Sequence, residues 1–117
     1  MPSSLPVLTL HYLRSITLNE VPLIVELLEI FVEDGQMYLD QLEAAQNQKE
    51  VVYAIHTLKG TAGQIGAERF EAYGAEAERL ARDEHRWKEA QAYLELFREE
   101  FKAVCVAIEK YKQEQGV

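Results

Sequence analysis

The sequence has little of what disulfide-bonded domains and membrane segments are built from. Of its 117 residues one is a cysteine, Cys105, so no internal disulfide can form and a reducing compartment is expected. No apolar run approaches the roughly 20 residues that span a bilayer, and the N-terminus lacks the basic segment of a secretory signal. The prolines all lie at or before Pro22, so long helices are permitted beyond it. We therefore expect a cytoplasmic protein.

Positive charge is also scarce. Lysine and arginine number 12 against 20 acidic residues, which gives a net charge of −8. Nucleic acids and anionic membranes are bound largely through cationic side chains, so neither is an expected partner. Residues 48–66 differ from this average, because they hold two lysines and one glutamate, a net of +1, which leaves −9 for the rest. This segment is a mildly basic island in an acidic chain.

What the sequence does have is a helical rhythm. Apolar residues recur at alternating spacings of three and four, the pattern of an amphipathic helix. The apolar stripes run over residues 24–45, 51–65, 70–80 and 87–111. The last stripe predicts one long closing helix. No period-2 alternation of useful length indicates a strand.

Helices of this number and spacing predict an all-α protein, an antiparallel four-helix bundle with a short extra N-terminal helix over residues 10–16. Thr9 is a candidate cap for the short helix, and Asn19 is a candidate cap for the helix that follows it. We expect a single domain over residues 1–117, with a core of about 5–112.

One predicted helix carries an unusual segment, HTLKGTAGQIGA, which begins at His56. At 100° per residue, the apolar stripe of this helix faces the core and His56 points about 140° away from its centre. His56 is therefore expected on the solvent face, with Lys59, Gly60 and Gly63 as its i+3, i+4 and i+7 neighbours. Each interior glycine costs roughly 1 kcal/mol of helix stability, whereas a bare helix surface lets another molecule approach closely. This pattern favours a functional role for His56.

The segment matches no pattern for a metal or a nucleotide. No histidine follows a glutamate by three residues, as in di-iron bundles, and no two histidines lie four apart. The glycines form neither a dinucleotide fingerprint nor a P-loop, and a helix-capping role is sufficient for Gly66. What remains is nucleophilic chemistry, in which a neutral imidazole nitrogen of His56 attacks a phosphoryl group and Lys59 balances the charge of its oxygens. We predict no metal site and no cofactor.

The segment from His56 resembles the H-x-L-K-G-x-x-x-x-x-G-A motif of histidine-containing phosphotransfer (HPt) domains. The order of the predicted helices fits as well, so the resemblance covers residues 5–112. One departure is Ile55, where the family commonly has alanine, but the helical projection places Ile55 in the core. The resemblance implies a protein that shuttles a phosphoryl group between receiver-domain aspartates in a multistep phosphorelay, without kinase or ATPase activity of its own.

The resemblance also implies roles for individual residues. His56 would be the phosphorylated residue, Lys59 would assist the phosphoryl group, and Gly60 would give the receiver room to dock. Glu78 falls where family members often place a polar side chain near the histidine. Two interpretations of Glu78 stay open: its carboxylate orients the imidazole, or it is simply solvated.

The face around His56 predicts the partner contacts. Val52, Gly63 and Gln64 share this face, and Gln64 would contact the phosphoryl group or the receiver itself. The partners implied by the resemblance are response-regulator receiver domains and a (hybrid) sensor histidine kinase. The apolar stripes are narrow enough to be buried within one bundle, so we predict a monomer.

Two alternative functions remain open at this point. One is a helical adaptor that binds receiver or kinase domains without chemistry, although an adaptor would not need His56. The other is a phosphate-accepting domain cut from a larger kinase. A complete kinase is excluded, because one helical bundle leaves no ATP-binding domain.

Overall fold

A computed structural model describes residues 1–117, and every regular element in it is helical. After a 3₁₀ turn at Pro2–Ser4, the helices are α1 (His11–Ile16), α2 (Val21–Ala44), α3 (Gln48–Ile65), α4 (Glu68–Ala81), α5 (Trp87–Gln91) and α6 (Leu94–Glu114). The four long helices pack in a ring, in which α3 contacts α2 and α4, and α6 contacts the other sides of α2 and α4. The predicted bundle with a short N-terminal helix is thus confirmed. None of these helices combines the length and apolarity that a membrane crossing needs.

Aromatic side chains hold α2, α4 and α6 together. Phe70 of α4 stacks on Phe97 of α6, with ring centroids 5.4 Å apart and planes 9° apart. Phe31 of α2 meets Phe70 edge-on at 6.4 Å. All three rings are buried, and each contributes about 1.5–3 kcal/mol by leaving water. This cluster fixes the position of α4, the helix that supports the site described below.

Both ends of α3 have a capping residue of a type that commonly occupies that position. The Asn47 side chain accepts a hydrogen bond from the Glu50 amide at 2.9 Å, an N-cap. Gly66 ends the helix in the left-handed conformation, with φ +87°, which confirms the predicted C-cap. A side chain at Gly66 would also collide with the Thr9 carbonyl oxygen, and the Thr9 amide donates to the Gly66 carbonyl at 2.9 Å. The N-terminal segment is thereby fastened to the end of α3.

The closing helix is interrupted, so the prediction of one continuous helix is wrong. A turn at residues 92–93 separates α5 from α6. The Gln91 side-chain amide donates to the Leu42 carbonyl at 3.1 Å and to the Ala45 carbonyl at 2.9 Å. These carbonyls belong to the end of α2, where helical partners are missing. The Gln91 side chain of α5 therefore caps the end of α2.

The predicted caps of α1 and α2 are also wrong. Leu10, not Thr9, precedes α1, and Glu20, not Asn19, precedes α2, in both cases without a side-chain cap. Asn19 has φ +61° and follows Leu18 at φ +54°. N-cap residues typically have an extended backbone, whereas Asn19 lies in a left-handed turn and is two residues before the first residue of α2.

Candidate functional site

The outer face of α3 presents His56 to solvent. Ile55, Leu58 and Ala62 of the same helix are fully buried, and the His56 side chain is 60% exposed. The outward direction read from the 3.6-residue period is therefore correct. Gly60, one turn further on, is exposed, and a Cβ placed there would have no neighbour within 4 Å. The surface next to the imidazole is bare.

A glycine on α4 brings that helix close to α3. A Cβ at Gly74 would lie 3.0 Å from the Lys59 Cβ and 3.3 Å from its Cα, so a larger residue would push the helices apart. Glu78 follows Gly74 by one turn on the same face of α4. This close approach lets the Glu78 carboxylate reach the side chains of α3.

Glu78 is the centre of a charged cluster at this contact. Its side chain is only 8% exposed. Oε2 lies 2.8 Å from His56 Nδ1, and it also accepts from Arg82 through Nη2 at 2.6 Å and Nε at 3.0 Å. Oε1 is buried without a hydrogen bond of good geometry, and its partner is the Lys59 ammonium 2.6 Å away. One carboxylate thus joins the histidine to two cations.

The environment of Glu78 determines its charge. Burial raises the pKa of this carboxyl group, but the nearby Lys59 ammonium and the hydrogen bonds from Arg82 and His56 outweigh burial and lower the pKa to about 2. The carboxylate is therefore ionised at neutral pH and can only accept hydrogen bonds. It follows that His56 Nδ1 carries the hydrogen, which leaves the lone pair on Nε2, the other ring nitrogen.

We expect Glu78→Gln to lower the free energy of unfolding by about 2 kcal/mol near pH 7, somewhat less than the full pKa difference implies because the partners are partly exposed. Since the folded pKa of about 2 lies below the ordinary 4.5, the ionised carboxylate stabilises the fold above pH 4.5. That contribution is lost as the pH falls toward 2. Urea denaturation at pH 7, 4 and 2.5 measures it.

The matched control for this experiment is Glu71→Gln, because Glu71 lies on the same helix, is exposed and has no ion pair. Its stability should stay close to that of the parent at each pH. A loss in Glu78→Gln that is the same at pH 7 and pH 2.5 would show that packing, not charge, explains the effect.

Gly63 differs from Gly60. A Cβ at Gly63 would collide with the Glu71 carboxylate of α4, whereas a Cβ at Gly60 would meet nothing. Because Glu71 is an exposed, flexible side chain that can turn away, this clash is not sufficient to explain the glycine. A contact between Gly63 and a partner stays a prediction.

The other two residues predicted to contact a partner lie at opposite ends of the face. Val52 is half-buried, near Arg82. Gln64 is exposed and lines an apolar groove with Tyr12 and Ile16 of α1. Tyr12 and Ile16 are both more than half exposed, at 54% and 53%. The face around His56 therefore continues into an exposed apolar surface.

Sequence reasoning missed two residues of this site. Gly74 lies in the interior of a predicted helix, one turn before Glu78. A glycine at such a position could have indicated a close approach of two helices. Arg82 follows Glu78 by four residues, the spacing at which helical ion pairs form. No group of three or more histidine, cysteine, aspartate or glutamate side chains is placed to hold a metal ion.

A helical bundle that presents one histidine on a bare outer helix face, with a lysine and a carboxylate beside it, defines the class of histidine phosphotransfer domains. The family model described as Hpt domain matches residues 26–109, and the chain belongs to this family. Its structure is similar to the crystal structure of histidine-containing phosphotransfer protein B from Pseudomonas aeruginosa PAO1. The TM-score is 0.82 at 27% sequence identity, over 93% of this chain and 96% of the other. No curated protein sequence matches the chain significantly.

Proposed function

We propose that this protein carries a phosphoryl group between the aspartates of receiver domains in a multistep phosphorelay, as phospho-His56. Histidine phosphotransfer in two-component signalling is the function of the family. The observation that carries the finer proposal is the exposed imidazole with its Nδ1 bonded to Glu78 and its Nε2 free to react.

The proposed reaction needs only groups that the two proteins supply. The Nε2 lone pair of His56 attacks the phosphorus of a receiver aspartyl phosphate, and a P–N bond forms. The P–O bond to the aspartate breaks, and its electron pair stays on the released carboxylate. The ring becomes positive while Nδ1 keeps its hydrogen, and the Glu78 carboxylate stabilises that charge, as a carboxylate does for the histidine of a catalytic triad. Transfer to the next receiver is the reverse of these steps.

Lys59 assists the phosphoryl group in this proposal. It is one turn from His56, and its side chain is 31% exposed. Residues 48–66, which include Lys59, carry a net charge of +1 in a chain whose net charge is −8. An anionic phosphoryl group is therefore attracted to this part of the surface, and its developing charge is stabilised there.

Docking of the receiver uses the bare and apolar parts of the same face. Gly60 lets the receiver backbone approach the helix, and Val52, Gly63 and Gln64 lie along the contact. The exposed Tyr12 beside Gln64 extends the apolar area toward α1. We propose that receiver domains and a (hybrid) sensor kinase use this surface in turn, and that the protein acts as a monomer without kinase or ATPase activity.

A phosphotransfer assay tests this function. Receiver domains charged with acetyl phosphate and magnesium are incubated with the protein, and the label is located by mass spectrometry. We expect acid-labile, alkali-stable phosphate on the peptide that contains His56. Receiver binding without any label would favour the non-catalytic adaptor instead.

A further inference from the structure

Arg82 and His56, the candidate phosphorylation site, contact the same oxygen of the Glu78 carboxylate. Arg82 is the residue that follows α4, and its Nη2 and Nε lie 2.6 Å and 3.0 Å from Glu78 Oε2. His56 Nδ1 lies 2.8 Å from that oxygen. Glu78 is the ion-pair partner of Arg82, and the His56 ring has no other hydrogen-bond partner. Arg82 and His56 therefore share one carboxylate oxygen.

An ion pair between residues four apart on a helix is usually of little consequence when it is exposed. Here the carboxylate is buried, so its charge acts strongly on the groups around it. A carboxylate paired with an imidazole alone favours the protonated ring, which has no lone pair for attack. The Arg82 guanidinium opposes that effect, because it neutralises the oxygen that faces the ring.

Three other ionisable side chains lie near the ring, and each has a different position relative to Glu78. Lys59 engages the second carboxylate oxygen, Oε1. Glu71 of α4 lies over Gly63, two turns along α3. Asp34 of α2 lies beside the groove that contains Gln64. Arg82 is the cation that donates hydrogen bonds to Oε2, the oxygen that faces the ring.

We propose that Arg82 is a positioning residue for phosphotransfer: through Glu78 Oε2 it keeps the His56 ring unprotonated near neutral pH while the Nδ1–H bond to Glu78 is retained. The inference rests on the proposed function of His56. In this proposal Glu78 and Arg82 have separate roles. The carboxylate orients the ring, and the guanidinium limits how strongly the carboxylate favours a second proton on the ring, at Nε2.

The first experiment is an NMR pH titration of the His56 ring in unphosphorylated protein, for the parent, Arg82→Ala, Arg82→Lys and Arg79→Ala. The midpoint of the titration should move to higher pH by roughly half to one unit in Arg82→Ala. Arg82→Lys should restore part of the shift, because it keeps the charge. Arg79→Ala removes the same charge from the same helix, at an exposed residue without an ion pair, and should leave the midpoint unchanged. An unchanged midpoint in Arg82→Ala overturns the proposal.

The second experiment measures phosphoryl acceptance from a charged receiver at two pH values. Arg82→Ala should slow acceptance about two- to fivefold at pH 6.5, within the ordinary titration range of histidine, and should not slow it at pH 8.5. In a Glu78→Gln background the same substitution should have no further effect, because a neutral amide needs no counter-cation. A loss that is equal at both pH values and persists in the Glu78→Gln background would mean that Arg82 binds the phosphoryl group directly, which overturns the proposal.

The two proposals can fail separately. The titration needs no receiver, so it tests the role of Arg82 even if no phosphoryl transfer is found. Conversely, label on His56 in the parent with an unmoved ring titration in Arg82→Ala would support phosphotransfer and reject the positioning role.

Discussion

His56→Gln protein receives no detectable phosphoryl group from any receiver, while its helical bundle unfolds at nearly the same urea concentration as the parent. This is the largest effect that we expect. An amide nitrogen has its lone pair delocalised into the carbonyl group, so glutamine offers no nucleophile to phosphorus. The His56 side chain is 60% exposed, and its one hydrogen bond joins it to Glu78, which keeps Lys59 and Arg82. Substitutions at such positions usually change stability by less than about 0.5 kcal/mol.

The matched control is His85→Gln. His85 is an exposed histidine in the turn between α4 and α5. It lies outside the cluster around Glu78, so its loss should leave phosphoryl acceptance unchanged. Circular dichroism and urea denaturation of both variants show whether the fold is retained. Label on the His56→Gln protein would place the acceptor elsewhere, and a large drop in its stability would make His56 a structural residue.

The helical rhythm of the sequence was sufficient to predict the bundle and the outward direction of His56. Both follow from the geometry of a single helix, since a stripe of buried residues such as Ile55 and Leu58 fixes which side faces solvent. The bareness of Gly60 follows from the same projection. The exposure of His56 and Gly60 on α3 could therefore be predicted from the sequence.

The role of Glu78 was not predictable in this way. The sequence left open whether its carboxylate contacts the imidazole or is solvated, because the answer depends on the distance between two helices. That distance is set by Gly74 against Lys59 and by the packing of Phe70, which together position α4. Arg82 was missed for the same reason. Its ion pair with Glu78 differs from an ordinary surface pair only because Glu78 is buried, and the sequence does not show that burial.

The break before α6 is accompanied by a tertiary contact. Apolar residues keep the 3,4 spacing across residues 92–93, so the pattern gave no sign of a turn. The turn places Gln91 on the last carbonyls of α2, a contact between residues 46 and 49 positions apart. Such long-range capping cannot be read from local periodicity, which reports only which residues are buried.

A size series at Gly60 is expected to have the second largest effect, and it separates docking from chemistry. Gly60→Ala should stabilise the fold by about 0.5–1 kcal/mol, because the position is an exposed helix interior with no neighbour within 4 Å of a Cβ. Gly60→Leu and Gly60→Trp should slow transfer from a charged receiver progressively, by about 100-fold for tryptophan, since a displacement of about 1 Å can cost that much. Single-turnover transfer rates and urea denaturation measure both effects.

The control for added bulk is Val106→Trp. Val106 is 65% exposed on α6, the helix that lies across the bundle from α3, so tryptophan there should leave transfer unchanged. Phosphoramidate, a small phosphoryl donor that needs no docked protein, supplies the decisive comparison. If Gly60 serves receiver docking, Gly60→Trp reacts with phosphoramidate at a rate close to that of the parent although it hardly reacts with a receiver. Equal losses with both donors would instead place the effect on the imidazole itself, and equal rates with both would remove docking as the reason for the glycine.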